Sequence, residues 1–316
     1  MIPSHRNRCW HSRLANSFIA GGAITLTGAI TLSGKCAKAQ NITLDGSLGS
    51  EGTLTGPDYV IPQAVGQTVE GNLFHSSGQF SLGTGESASF QSDASIRNIL
   101  SRVTGGSHSD IEGLIRAGGN ANLFLINPNG IIFGQNAQLD IGGSFVATTA
   151  NAIAFPGGEE FSLTSSVNPQ NSLLSVNPSA FLFNQIADQP TNSIEVKGTL
   201  AVDENQSLLL VGGNVSPNVA STGGILIDGG TLQAPGGRVE LGGVVLREVV
   251  ESEIVGLDVD GKTLRLSFPD DVDRADVSLA NGAEVNVAAA AGGARAPERP
   301  VGVRPGGRPV KDVLAD

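Results

Sequence analysis

A short apolar segment, a pair of glycines and another apolar residue recur along this chain. The pattern is seen in Leu139-Asp140-Ile141-Gly142-Gly143-Ser144-Phe145 and again in Leu209-Leu210-Val211-Gly212-Gly213-Asn214-Val215. Leu226-Ile227-Asp228-Gly229-Gly230-Thr231-Leu232 and Val239-Glu240-Leu241-Gly242-Gly243-Val244-Val245 follow, with a degenerate copy at Leu279-Ala280-Asn281-Gly282-Ala283-Glu284-Val285. The Gly pairs at 212, 229 and 242 are 17 and 13 residues apart, so the repeat carries loops of variable length. A strand this short cannot bury a face alone. Stacked as successive coils, such strands form one apolar column, and each backbone group pairs with the coil above or below. Glycines are expected at the corners, where other residues resist the backbone angles. With 43 Gly, 40% hydrophobic and only 16% charged residues, composition points the same way, to many short strands and tight turns. A chain of 316 residues is long enough for a sizeable core.

The first 39 residues differ from the rest. They hold Arg6, Arg8, Arg13, Lys35 and Lys38 and no acidic residue, around an apolar stretch from Phe18 to Leu32. Ala37-Lys38-Ala39 supplies a small-x-small site before Gln40, the layout of a secretory signal peptide with cleavage between Ala39 and Gln40. The run is too short and too rich in Thr to favour spanning a membrane, and no later segment reaches that length. No stable transmembrane segment is expected after cleavage. The remaining chain holds 14 basic and 30 acidic residues, a net of −16, which excludes nucleic-acid binding by general electrostatics. Cys9 and Cys36 leave with the signal, so the mature chain has no cysteine. Two readings of that stand side by side: a chain that must remain threadable after leaving the cytoplasm, and a core large enough to need no staple.

Asn-Pro corners occur at Asn127-Pro128, Asn168-Pro169 and Asn177-Pro178. In Asn127-Pro128-Asn129-Gly130, between Leu123-Phe124-Leu125-Ile126 and Ile131-Ile132-Phe133, Pro at the second place and Gly at the fourth suit a type I turn. Asp260-Gly261 between Val259 and Leu264 predicts a hairpin. Ser95 to Gly105 is ambiguous. Ile96, Ile99, Leu100 and Val103 have helical spacing, whereas the surroundings argue for a strand. From Arg295 to Asp316 the chain is rich in Pro, Arg and Gly with no strand pattern, and a disordered tail is expected. A solenoid ending there without a cap would expose an apolar end, so the chain reads as the front of a longer repeat protein, truncated or frameshifted.

Several motifs carry less than their letters promise. Gly256 to Thr263 fits G-x-x-x-x-G-K-T, but strand-like residues follow it and Asp258 and Asp260 would repel phosphate. Ser107, His108, Ser109 and Asp110 are triad residue types whose adjacent side chains are expected to diverge. His75 and His108 are the mature chain's two histidines, a poor basis for zinc, and no metal or cofactor is expected. Asp270, Asp271, Asp273 and Asp276 lack the EF-hand pattern. A polysaccharide lyase or hydrolase remains the rival class, yet Asp140 is the one acidic residue between Asn120 and Phe155.

An ordered set of short motifs then carries a resemblance. Asn127-Pro128-Asn129-Gly130-Ile131 resembles the NPNGI motif of the haemagglutination-activity domain, the N-terminal secretion (TpsA) domain of filamentous-haemagglutinin-type exoproteins exported by two-partner secretion. Gly71 to Ser76 with Phe80, Arg97 to Gly106, Gly113 to Ile115, Asn122 to Leu125 and Gly142 to Phe145 match that family in order, and Ser207 to Asn214 and Ala234 to Gly243 resemble its later coils. The resemblance covers roughly residues 40–250, with a further coil or coils expected over 251–294. It implies an all-β fold, a right-handed parallel β-helix with extra-helical hairpins, and tips Ser95 to Gly105 towards strand. It implies a secreted, non-enzymatic protein that nucleates a β-helical adhesin at the cell surface. The implied partners are the Sec translocon, signal peptidase and an outer-membrane transporter of the Omp85/TpsB type. Asn127, Pro128, Asn129, Gly130 and Ile131 are the implied secretion motif. One departure stands out: where many members carry NPNL, this chain has Gly106-Ser107-His108-Ser109-Asp110.

Overall fold

The computed structural model describes residues 42–183, 193–214, 224–245, 253–260, 263–289 and 313–315. The expected signal segment, with Ala37, Ala39 and Gln40, lies outside the described residues. Among them the regular structure is strand, apart from two single-turn 3₁₀ segments, Gln63–Val65 and Ser172–Leu174.

Each coil gives one strand to each of three faces. Asn98–Val103, Ser109–Ile111 and Leu114–Ala117 make one coil; Asn122–Ile126, Ile131–Phe133 and Gln138–Ile141 make the next. They pair in parallel, Leu123 beside Ile99, Ile131 beside Ser109 and Gln138 beside Leu114. Repeated through Ser207–Asn214 and Arg238–Val245, this is a parallel β-helix. The wide face is a 10-stranded sheet; its start is capped by the antiparallel strands Ile42–Asp45, Glu51–Thr53 and Gln67–Val69.

Two excursions leave the coils. After Phe145–Thr148 the chain forms Ala152–Ala154, Glu160–Ser162 and Ala180–Phe183 before returning at Ile194–Val196. After Arg238–Val245 it forms Glu253–Asp260 and Thr263–Ser267 before Val277–Ala280. These five strands join as one antiparallel extra-helical sheet, with Phe181 opposite Val255. Asp260 lies opposite Thr263, so the Asp260-Gly261 hairpin is present and Gly256 to Thr263 is no strand-to-helix phosphate loop.

The wide sheet is buried on both sides, which accounts for its unbroken apolar runs. Leu73, Ile99, Leu123, Phe145, Leu208 and Val239 occupy one register column and face the helix interior. The next column, Phe74, Leu100, Phe124, Val146 and Leu209, faces outward into a second core with Ile153, Phe161, Phe181, Phe183 and Val255 of the extra-helical sheet. Two-sided burial also resolves Ser95 to Gly105. Asn98–Val103 is a strand in which every residue is buried, and Ile99 and Val103 face one core while Leu100 faces the other. Apolar residues needed on both faces imitate helical spacing.

Three expectations change. Gly212-Gly213 and Gly242-Gly243 lie within strands rather than at corners. Gly242 is required for room: a Cβ there would lie 2.0 Å from the Phe268 ring of the second excursion. Asn168-Pro169 and Asn177-Pro178 belong to the first excursion, so Asn127-Pro128 is the Asn-Pro pair that turns a coil. Within the expected tail, Val313–Ala315 is a strand antiparallel to Arg238–Val245. An open sheet edge pairs through backbone groups and asks little of the added sequence.

His75 stands in an inward column beside Ser101, 1% exposed and against the Phe90 ring. Among the described residues neither of its nitrogens has a hydrogen-bond partner. Burial pushes its pKa down from 6.5 to about 4. The unfolded chain therefore binds this proton first. Stability is intact above about pH 6.5 and falls by roughly 3 kcal/mol as pH drops towards about 4. Urea unfolding at intervals across that window should show this slope, and His75→Leu should flatten it.

Candidate functional site

The Asn127 to Gly130 corner joins a wide-sheet strand to a second-face strand, and it is almost wholly buried. Asn127 is 0% exposed; Pro128 and Gly130 are buried, and Asn129 is half-buried. Gly130 N–H donates to Asn127 O at 3.0 Å, closing the four-residue turn. Gly130 takes φ +100, and a Cβ would meet Ser193 O at 3.2 Å, so both conformation and space call for glycine.

Both asparagine amides of the corner have local work. Asn127 Oδ1 accepts from Asn129 N–H at 2.9 Å, bracing the turn from within. Asn127 Nδ2 donates to Ser107 O at 3.1 Å and Ser109 Oγ at 3.0 Å. Asn129 Nδ2 donates to Gly105 O at 2.7 Å. Asn127 N–H donates to Thr148 O, Ile131 N–H to Ser193 O, and Gly130 O accepts from Ser109 N–H. The corner thus fastens the loop of the preceding coil and the backbone of later ones. That loop is Gly105 to Ser109, which overlaps the Gly106 to Asp110 segment.

The surface above it consists of Gly106 and Ser107, which are exposed, with His108 half-buried. His108 Nε2 lies 3.2 Å from Asp110 Oδ1, so these two side chains meet rather than diverge, as residues two apart on a strand can. Ser109 Oγ instead takes the Asn127 amide. Along the outward column of the second face, Asp110 and Glu195 are separated by the Ile132 rung, and Glu195 pairs with Lys197 Nζ at 2.9 Å. Asp140 faces Arg116 at 3.2 Å. Asp140 and Glu195 are thus each paired with a cation.

Sequence reasoning missed a second polar device. Asn72, Asn98 and Asn122 stack in register at the start of the wide sheet. Asn122 Nδ2 donates to Asn98 Oδ1 at 2.9 Å, and Asn98 Nδ2 to Asn72 Oδ1 at 2.8 Å. Asn72 Nδ2 then reaches Leu174 O and Val176 O of the first excursion. Separations of 26 and 24 residues, each Asn followed by two apolar residues, were the signal available.

Removing the Asn127 side chain leaves Ser107 O and Ser109 Oγ without their donor and unbraces the turn. Asn127→Ala should lower unfolding free energy by about 2–3 kcal/mol. Asn129→Ala, which loses the bond to Gly105 O and a longer one to Asn127 Oδ1 from a half-buried place, should lower it by about 1 kcal/mol. Denaturant midpoints rank the two variants, and the reverse order would contradict the assignment.

Residues 40–296 match the profile of a family described as TPS secretion domain. Over 69 residues the chain is 35% identical to the heme/hemopexin-binding protein of Haemophilus influenzae, a match spanning 22% of this chain and 7% of that protein. The crystal structure of the HMW1 secretion domain from Haemophilus influenzae matches over 79% of this chain and 54% of that chain, at 18% identity and a TM-score of 0.38.

Proposed function

We propose, on the footing that this chain belongs to the TPS secretion domain family, that it directs its own export by two-partner secretion and nucleates the β-helix of a surface exoprotein. The family is one of secretion domains rather than a known enzyme family. The proposed route begins with Sec export and cleavage between Ala39 and Gln40. The chain then crosses the periplasm and an outer-membrane transporter of the Omp85/TpsB type, and folds outside. Residues 40–250 are the proposed secretion domain; beyond them Val277–Ala280 and Glu284–Asn286 continue the coils, whereas Glu253–Asp260 and Thr263–Ser267 belong to the extra-helical sheet.

The observation that carries this reading is the burial of the corner. Asn127, Pro128 and Gly130 are enclosed in the folded state; the Asn127 amide and the Gly130 carbonyl are engaged by the preceding coil and Asn127 Oδ1 by the turn itself. A partner cannot contact such side chains on the finished domain. The Asn127 to Ile131 motif therefore acts in export in one of two forms: as an extended segment before folding, or through the folding it enables. Strand addition to the transporter's periplasmic domains is the mode that suits an extended chain. Folding outside then opposes return, because a stack of coils cannot be threaded back without unpairing its ladders.

The test is co-expression of the chain with and without a cognate transporter, following protein in the medium. Secretion should require the transporter, and Asn127→Ala should reduce it several-fold. Equal secretion in the two strains would sink the export reading. Ser107→Ala, at an exposed place, should leave secretion unchanged.

A further inference from the structure

Arg102 is one of the largest fully buried side chains in the molecule, 1% exposed, and it points out of the wide sheet. Its Nε donates to Ser76 Oγ at 2.8 Å on the neighbouring coil. One terminal nitrogen donates to Ser47 Oγ at 2.9 Å, in the N-terminal hairpin. The other donates to Ser162 O and, at 2.8 Å, to Ser165 O in the first excursion. The guanidinium also lies over the Phe161 ring, 4.5 Å from its centroid.

Asp45 completes the cluster from the hairpin side. Its Oδ2 accepts from Ser76 Oγ and Thr104 Oγ1, both at 2.6 Å, and its Oδ1 accepts from Ser47 N–H and Oγ. Burial pushes this carboxyl up, but the hydrogen bonds from Ser76, Thr104 and Ser47 outweigh it and hold the pKa below the ordinary 3.8. Thr104 precedes Gly105, whose carbonyl takes the Asn129 amide, so the cluster abuts the loop beneath the corner.

A buried guanidinium is tolerable only when its donors are satisfied, and removing one partner from such a group is strongly destabilising. Here the acceptors lie 26, 55, 60 and 63 residues from Arg102 along the chain, on both sides of it. No local segment can satisfy it. The fork geometry, which presents several fixed donors in one plane, suits a junction of three chain segments as an ammonium would not.

We propose that Arg102 is the positioning residue through which the N-terminal hairpin, the first coils and the extra-helical sheet close as one cooperative unit. The unit closes only when the chain through Ser165 is in place, which makes the first excursion a clasp over coils that precede it in sequence. This holds whether or not the chain travels through a transporter.

The experiment is pulsed hydrogen exchange during refolding, and native-state exchange afterwards, on the mature chain from Gln40. In the wild type, amides of Ile42–Asp45 and Ala152–Ser162 should gain protection in the same phase as Asn98–Val103. Earlier protection of the hairpin would overturn the proposal. Ser47→Ala is the informative variant, because Ser47 touches Arg102 and Asp45 but not Ser162 or Ser165. It should speed native-state exchange about fivefold both in the hairpin and in Ala152–Ser162, while Ile225–Asp228 is unaffected. An effect confined to the hairpin, or one spread evenly over the whole chain, would refute the coupling. Arg102→Met should produce the same two-segment loss more strongly. If that variant does not fold, the Ser47→Ala result decides.

Discussion

A parallel sheet covered on both faces has no side to give to water, and the wide sheet of this β-helix is in that position. Its inward column fills the helix interior and its outward column fills a second core beneath the extra-helical sheet. Where the coils stack, burial on both faces leaves each backbone N–H and C=O dependent on the neighbouring coil. The stack, the two excursions and the placing of nearly every polar side chain respond to that requirement.

Several polar residues of the wide sheet share one role. Where a strand begins, ends or is overlain by an excursion, backbone groups lose their ladder partner, and a side chain takes its place. The asparagine ladder does this where the strands start and passes a donor to Leu174 O and Val176 O. Asn127 and Asn129 do it at the corner. Ser207 Oγ accepts from Leu264 N–H at 3.0 Å, and the buried Glu240 accepts from Leu266 N–H, at the edge of the second excursion. Arg102 does it for the first excursion. Unpaired, such groups would each forfeit about 1–3 kcal/mol, so specificity of docking comes with them.

The proposed secretion motif is thus hidden in the folded domain. The corner is a structural part whose amides are consumed in joining coils. On the proposed route, the features a transporter would use are then either expressed before the coils close or belong to the closed shape. The loop from Gly105 to Ser109 belongs to the same unit, held by Asn127 and Asn129. The corner bonds the carbonyls of Gly105 and Ser107, which any residue supplies, and one serine hydroxyl.

Much of this was written in the order of residues. Short apolar segments, Gly pairs and the Asn-Pro-Asn-Gly turn determined a stack of coils, because each is a local device: a strand too short to stand alone, or a turn with its own hydrogen bonds. Tertiary structure decided the rest. It placed Asn168-Pro169 and Asn177-Pro178 in an excursion rather than at coil corners, moved Gly212-Gly213 and Gly242-Gly243 into strands, and turned a helical spacing at Ile96 to Val103 into a strand. It also gathered Ser47, Ser76, Ser162 and Ser165 around Arg102. The reason is one of range. A residue's sequence neighbours settle its turn or strand, but a glycine kept small for a ring 26 residues away, or an arginine shared by three segments, has a meaning that exists only once the chain has folded back on itself.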